Sequence, residues 1–147
     1  MTAVSDTTFL LEFPPQAPYV STARIFAAAV ARHFGVDEDS VDDLKIAVSE
    51  ACTSAIRARR DGLADGPVRL EALVEGSRLV FLAKDAGVPE GDGAQAALEG
   101  GSSWDRIANR LGLETIRALF PQAEVLAGDG RTGDLRFGLD LGSPAPK

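Results

Sequence analysis

Hydrophobic spacing along this chain switches between two periods, and the switches mark its elements. Thr8 to Phe13 is a short apolar run ended by Pro14-Pro15, which predicts a strand. From Tyr19 to Phe34 the apolar positions Val20, Ala23, Phe26, Ala27, Val30 and Phe34 recur at helical spacing, and Gly35 suits the stop. Ser40 to Arg60 predicts a second helix. Ser40 can cap it, Asp42 and Asp43 favour its positive end, and Arg57, Arg59 and Arg60 favour its negative end. Val68 to Glu75 alternates apolar and polar residues, Gly76-Ser77 turns the chain, and Arg78 to Lys84 runs back, which predicts a hairpin.

Residues 86–103 follow neither period. Gly87, Pro89, Gly91, Gly93, Gly100 and Gly101 predict a loop, with one helical turn around Ala94 to Leu98. Helical spacing returns from Trp104 to Phe120 through Ile107, Leu111, Ile116 and Leu119, and Pro121 follows its end. Ala123 to Ala127 and Leu135 to Leu141 predict a last hairpin, and Ser143 to Lys147 a tail. The order β-α-α-β-β-loop-α-β-β predicts an α+β, two-layer sandwich. Its sheet is mixed but mostly antiparallel, with helices on one face. The expected organisation is a single domain over 1–147 with a core from about 8 to 141.

Composition narrows the setting. The chain has 147 residues, 45% hydrophobic and 25% charged, which is globular and not disordered. That length buries roughly two thirds of the unfolded surface. The net charge of −7 argues against direct nucleic-acid binding, which needs a basic face. Cys52 is the single cysteine, so an internal disulfide is excluded and a reducing compartment is expected. No apolar run reaches the ~20 residues of a membrane span. Met1 to Thr8 lacks the basic and apolar regions of a signal peptide, so the expected location is cytoplasmic.

Candidate chemistry concentrates on the second helix. Glu50 precedes Ser54 by one turn, so both point the same way from an otherwise apolar, small-residue stretch. An acid kept there needs a partner or a function. Pairing with Arg57, or a position at the helix surface, is the structural alternative. His33 reads as a helix-end residue and Cys52 as a small core hydrophobe. Trp104 is either a partner anchor or a core residue. Zinc spacings, Walker-type phosphate loops and Gly-x-Ser-x-Gly elbows are missing.

Three short motifs carry a family resemblance. Glu50-x-x-x-Ser54 lies on the second helix, Asp85-Ala86-Gly87-Val88-Pro89 follows a strand, and Arg110-Leu111-Gly112-Leu113 follows the glycine-rich loop. In this order they resemble the motifs of the GHKL (Bergerat-fold) ATPases, within them the stand-alone bacterial anti-sigma-factor serine kinases, over roughly Phe9 to Leu141. The resemblance implies a role for each residue. Glu50 is the catalytic acid or base, and Ser54 stands where an asparagine holds magnesium. Asp85 accepts from the adenine amino group, and Gly87 lets the backbone pass the base. Arg110, Gly112 and Leu113 stand at the phosphate cradle, a helix N-terminus beneath a lid formed by the 86–103 loop. The structural alternative, which the periodicity from Trp104 favours, is a helix that begins before the motif and carries Gly112 for close packing against a neighbour. Each motif departs from the family pattern once: serine for asparagine at Ser54, proline for glycine at Pro89, arginine for glycine at Arg110.

What the resemblance implies for function is an anti-sigma factor of bacterial stress or development. It would regulate transcription by partner switching, as a homodimer that binds a sigma factor and an anti-anti-sigma protein. The three departures imply weak or lost binding of ATP or ADP and magnesium. The alternative is an active ATP-dependent serine kinase that phosphorylates the anti-anti-sigma protein.

Overall fold

The computed structural model describes residues 7–87, 103–126 and 132–142, with the backbone alone for 103–110. The elements are β1 (Thr8–Phe13), a 3-10 turn (Ala17–Tyr19), α1 (Val20–His33), α2 (Glu38–Arg60), β2 (Val68–Glu75), β3 (Arg78–Gly87), α3 (Ser103–Leu119), β4 (Glu124–Leu126) and β5 (Gly133–Asp140). The sheet order is β1-β2-β3-β5-β4. Every neighbouring pair among the described strands is antiparallel, in keeping with the mostly antiparallel sheet expected. The physical reason is connectivity: β2–β3 and β4–β5 are hairpins, and β1 and β5 each pair antiparallel with the strand beside them. The fold is the expected α+β two-layer sandwich.

Alternation decides which sheet face is dry. Leu70, Ala72, Leu79, Phe81, Ala83, Leu135 and Phe137 point to one side and are buried. Phe81 and Phe137 stack there with ring centroids 6.1 Å apart, and Phe120 adds a third ring 5.6 Å from Phe137. The other face carries charge pairs such as Arg69 with Glu12 and Lys84 with Asp134.

α2 is the central helix, packed against α1, β3 and α3. It buries Val41, Leu44, Ala47, Val48, Ala51, Cys52, Ala55 and Ala58. Four alanines in that set bring the neighbouring backbones close, which is why three elements can share one helix. Cys52 lies in the core as expected. Burial pushes its thiol up to about 12, so it stays protonated and unreactive.

α2 begins at Glu38, ahead of the expected Ser40. Its cap is Asp37, whose Oδ2 accepts from the Ser40 backbone N–H at 3.0 Å while Oδ1 accepts from the Ser40 hydroxyl at 2.8 Å. Ser40 therefore serves the cap without being it. Those bonds, the hydroxyl's first, hold the Asp37 carboxyl below its ordinary value. A depressed native pKa stabilises the fold above the unfolded carboxylate pKa, and that contribution disappears as pH falls through the lower native value. Asp37→Ala should lower Tm at pH 7 by roughly 3 °C. Thermal melts at pH 7 and at acid pH test this, with the difference between the two proteins shrinking as the pH falls.

The last helix and hairpin lie close to expectation, with α3 at Ser103–Leu119 and β5 starting at Gly133. The predicted helical turn at Ala94 to Leu98 and the lid, apart from its first and last residues, lie outside the described residues. The same is true of the Trp104 and Arg110 side chains. No described helix is long and apolar enough to cross a membrane.

Candidate functional site

The three motifs meet along the middle and C-terminal half of α2. Ser54 donates its hydroxyl to the Ala86 carbonyl at 2.5 Å, which joins the first motif to the second. Glu50 meets the third: a β-carbon built on Gly112 would lie 3.1 Å from Glu50 Oε2. Glu50 is thus half-buried against α3, and neither of its two expected alternatives, an Arg57 pair or a bare surface, describes that setting. Gly112 lets α3 approach the Glu50 carboxylate closely: a β-carbon there would make that carboxylate give way by a few tenths of an ångström. It is the tenth of the seventeen residues of α3, so Gly112 and Leu113 lie inside the helix and not at a helix N-terminus. Helical periodicity from Trp104 onward is the reason: the helix starts nine residues before the glycine. The backbone N–H groups of that turn are engaged in the helix and do not form an open cradle in this state.

The second motif owes its shape to a bulge. β3 continues past the expected end at Lys84 to Gly87. Ala83 pairs with Leu135 and Gly87 with Gly133, so Lys84, Asp85 and Ala86 stand opposite Asp134 alone. Asp134 serves the surplus residues: Oδ2 takes the Lys84 ammonium at 3.1 Å, and Oδ1 accepts from the Asp85 backbone N–H at 3.1 Å. Asp85 adopts φ 54°, the one positive value among the described non-glycine residues. Strain of this kind persists where the surroundings over-determine it. Gly87 closes the bulge beneath Val125, whose Cγ1 would lie 2.7 Å from a β-carbon. The glycine is thereby required for packing within the sheet.

The Asp85 carboxylate is held from two sides. Thr132 donates its hydroxyl to Oδ1 at 2.8 Å. Arg59 Nη2 lies 3.9 Å from Oδ2, with the Arg59 side chain 6% exposed and that of Asp85 37% exposed. Burial pulls the Arg59 guanidinium below its ordinary value, and Asp85 is the foremost group opposing that. An acceptor carboxylate that is fixed, partly open and adjacent to a strained turn suits recognition of an exocyclic amino group.

Thr132 and Asp134 were not singled out in the sequence. The segment from Gly128 to Gly133 reads as an ordinary glycine-rich turn, and the threonine within it carries no motif. The available signal was Thr132's place directly before a strand that neighbours the Asp85 strand. Thr132 is the buried polar residue among those described, 2% exposed. Arg59 was read only as a helix-end charge.

Together these elements define a class: an α+β sandwich whose central helix meets a sheet bulge through Ser54 and the third helix through Glu50. Residues 13–137 match the histidine kinase-like ATPase domain. The chain belongs to the histidine kinase-like ATPase family, and that membership implies nucleotide binding. Among its relatives, the serine-protein kinase RsbW of Bacillus pumilus is 34% identical over 140 residues, covering 88% of this chain and 85% of that protein. The serine-protein kinase RsbW of Bacillus cereus is 28% identical over 128 residues, covering 83% and 79%. The similarity to the RsbW of Listeria monocytogenes serovar 1/2a is 34% over 77 residues, so there the match spans 49% of the relative.

Proposed function

We propose that this chain is an anti-sigma regulator that acts by partner switching. It binds a sigma factor and an anti-anti-sigma protein in mutually exclusive complexes, as a cytoplasmic homodimer, and holds ATP or ADP weakly. Membership in the family supports a nucleotide pocket walled by Glu50, Ser54, Asp85, Gly87 and Gly112. The observation that favours a regulator over an enzyme is the Ser54 hydroxyl, drawn to the Ala86 carbonyl at 2.5 Å.

The fit to a nucleotide divides into two halves. The base half fits: Asp85 offers an oriented acceptor oxygen backed by Thr132. The magnesium half does not. Magnesium demands near-octahedral oxygens at about 2.1 Å, and a serine hydroxyl turned to a strand carbonyl, one atom shorter than the amide it replaces, is a poor donor. Partner exchange needs only competing surfaces of comparable affinity, so it survives this loss.

The second reading is an active serine kinase that phosphorylates the anti-anti-sigma protein. It is favoured by the names of the relatives and by the retention of Glu50 and Asp85. There Glu50 would take the proton of the attacking hydroxyl.

Calorimetric titration of ATP with and without magnesium separates the two. The regulator reading expects weak binding that magnesium barely changes. It further expects Ser54→Asn combined with Arg110→Gly to raise magnesium-dependent affinity at least tenfold. Tight magnesium-dependent binding by the wild type, with phosphate transfer to a co-purified small protein, would establish the kinase instead. Affinity capture from the native cell should recover a sigma factor or a small anti-anti-sigma protein, and recovery of neither would refute the regulator.

A further inference from the structure

Arg59 is the unexplained buried cation of this fold. Its side chain is 6% exposed, yet a charge removed from water is costly unless it is paired. Its donors are occupied: Nη1 donates to the Ala55 carbonyl at 2.9 Å, Nε to the Gly66 carbonyl at 3.0 Å and Nη2 to the Pro67 carbonyl at 3.0 Å. These carbonyls fix the guanidinium between the end of α2 and the turn leading into β2. Carbonyls supply dipoles but no charge. Among the described residues the carboxylate within ion-pair distance of Arg59 is Asp85, at 3.9 Å.

That geometry is directional. Asp85 is held at Oδ1 by Thr132 and at its backbone N–H by Asp134. Its Oδ2 has no such hydrogen bond among the described contacts and faces the rigid guanidinium. A carboxylate on a left-handed backbone, anchored at one oxygen, can still rotate about its side-chain torsions. A positive charge pinned on the Oδ2 side makes one rotation the favoured one.

We propose that Arg59 is a positioning residue for the nucleotide site, which orients the Asp85 carboxylate and thereby sets the preference for an amino over a keto group on the bound base. This rests on the reading of Asp85 as the base acceptor. Arg59 touches no ligand; it acts through Asp85. It also couples base recognition to the Gly66–Pro67 turn, because the guanidinium holds both. A carboxylate fixed in this way accepts from an amino group and repels a carbonyl oxygen placed at the same point.

Two measurements on Arg59→Met and Arg59→Lys test it. The first is affinity for ADP and for inosine diphosphate, which differ at the base by a 6-amino against a 6-keto group, with N1 changing from acceptor to N–H donor. Wild type should favour ADP, Arg59→Met should reduce that preference about tenfold, and Arg59→Lys should restore most of it by keeping the charge. An ADP-to-IDP ratio unchanged in Arg59→Met overturns the proposal, as would loss of both affinities in equal proportion, which marks a merely structural residue. The second needs no nucleotide: amide hydrogen exchange at Asp85, whose N–H is bonded to Asp134. Exchange there should quicken in Arg59→Met while the Phe81 amide in the strand interior keeps its protection, and Arg59→Lys should reverse the change. Unaltered exchange at Asp85 overturns the proposal by itself. If wild type binds neither nucleotide, the reading of Asp85 as a base acceptor fails, and exchange alone decides whether Arg59 holds Asp85. Should Arg59→Met fail to fold, Arg59→Gln supplies the neutral variant for both measurements.

Discussion

Asp85→Asn should lower the affinity for ATP by at least tenfold in a calorimetric titration, while the fold persists. The substitution keeps size and leaves an oxygen to accept from Thr132, which holds Oδ1 at 2.8 Å. What changes is the other arm. An amide nitrogen replaces the oxygen that faces Arg59 at 3.9 Å, so a donor meets a cation. The carboxylate charge that an amino group of the base would meet is removed as well. Hydrogen bonds to charged acceptors contribute about 1.5–3 kcal/mol, and every 1.4 kcal/mol is about tenfold in affinity. The expected loss is therefore roughly 10-fold to 150-fold. An isotherm matching wild type would remove Asp85 from the pocket and with it the assigned base site.

Phe81→Ala should be the most destabilising single change in the sheet. Phe81 is fully buried on the central strand, stacked on Phe137. Its removal deletes apolar surface and leaves a hole between sheet and α2 that the alanine-rich helix cannot fill. Buried phenylalanine truncations cost about 3–5 kcal/mol. At about 3 °C per kcal/mol for a chain of this size, Tm should fall by roughly 10–15 °C. A denaturant midpoint within error of wild type would mean that the core does not centre on the Phe81–Phe137 stack. Because the two sites are distinct, this variant and Asp85→Asn separate stability from recognition. The first should shift the melt and the second the isotherm.

The expected elements survive comparison with the structure where periodicity is strong. β1 and β2 end where the alternation ends, and α1 and α3 begin and stop within a residue or two of their patterns. Errors fall where local signals compete. Two residues near the start of α2 can cap it, and Asp37 prevails because its carboxylate satisfies both the backbone N–H and the hydroxyl of Ser40. Lys84 looks like a strand end because polar residues follow it, whereas the strand continues through a bulge stabilised by Asp134. Such a bulge depends on a residue about fifty positions away in the chain, and no local pattern announces it.

The same division holds at the site. Helical spacing alone puts Glu50 and Ser54 on one side of α2, because residues four apart always share a face. Alternation alone determines which sheet side is dry, and the α+β class follows from element order. Tertiary packing decided the rest: that Ser54 turns to the Ala86 carbonyl, that Gly112 faces Glu50, and that Thr132, Asp134 and Arg59 converge on Asp85. Periodicity is a property of neighbouring residues, whereas these contacts join segments whose meeting depends on sheet order, on register and on how closely an alanine-lined helix can approach its neighbours.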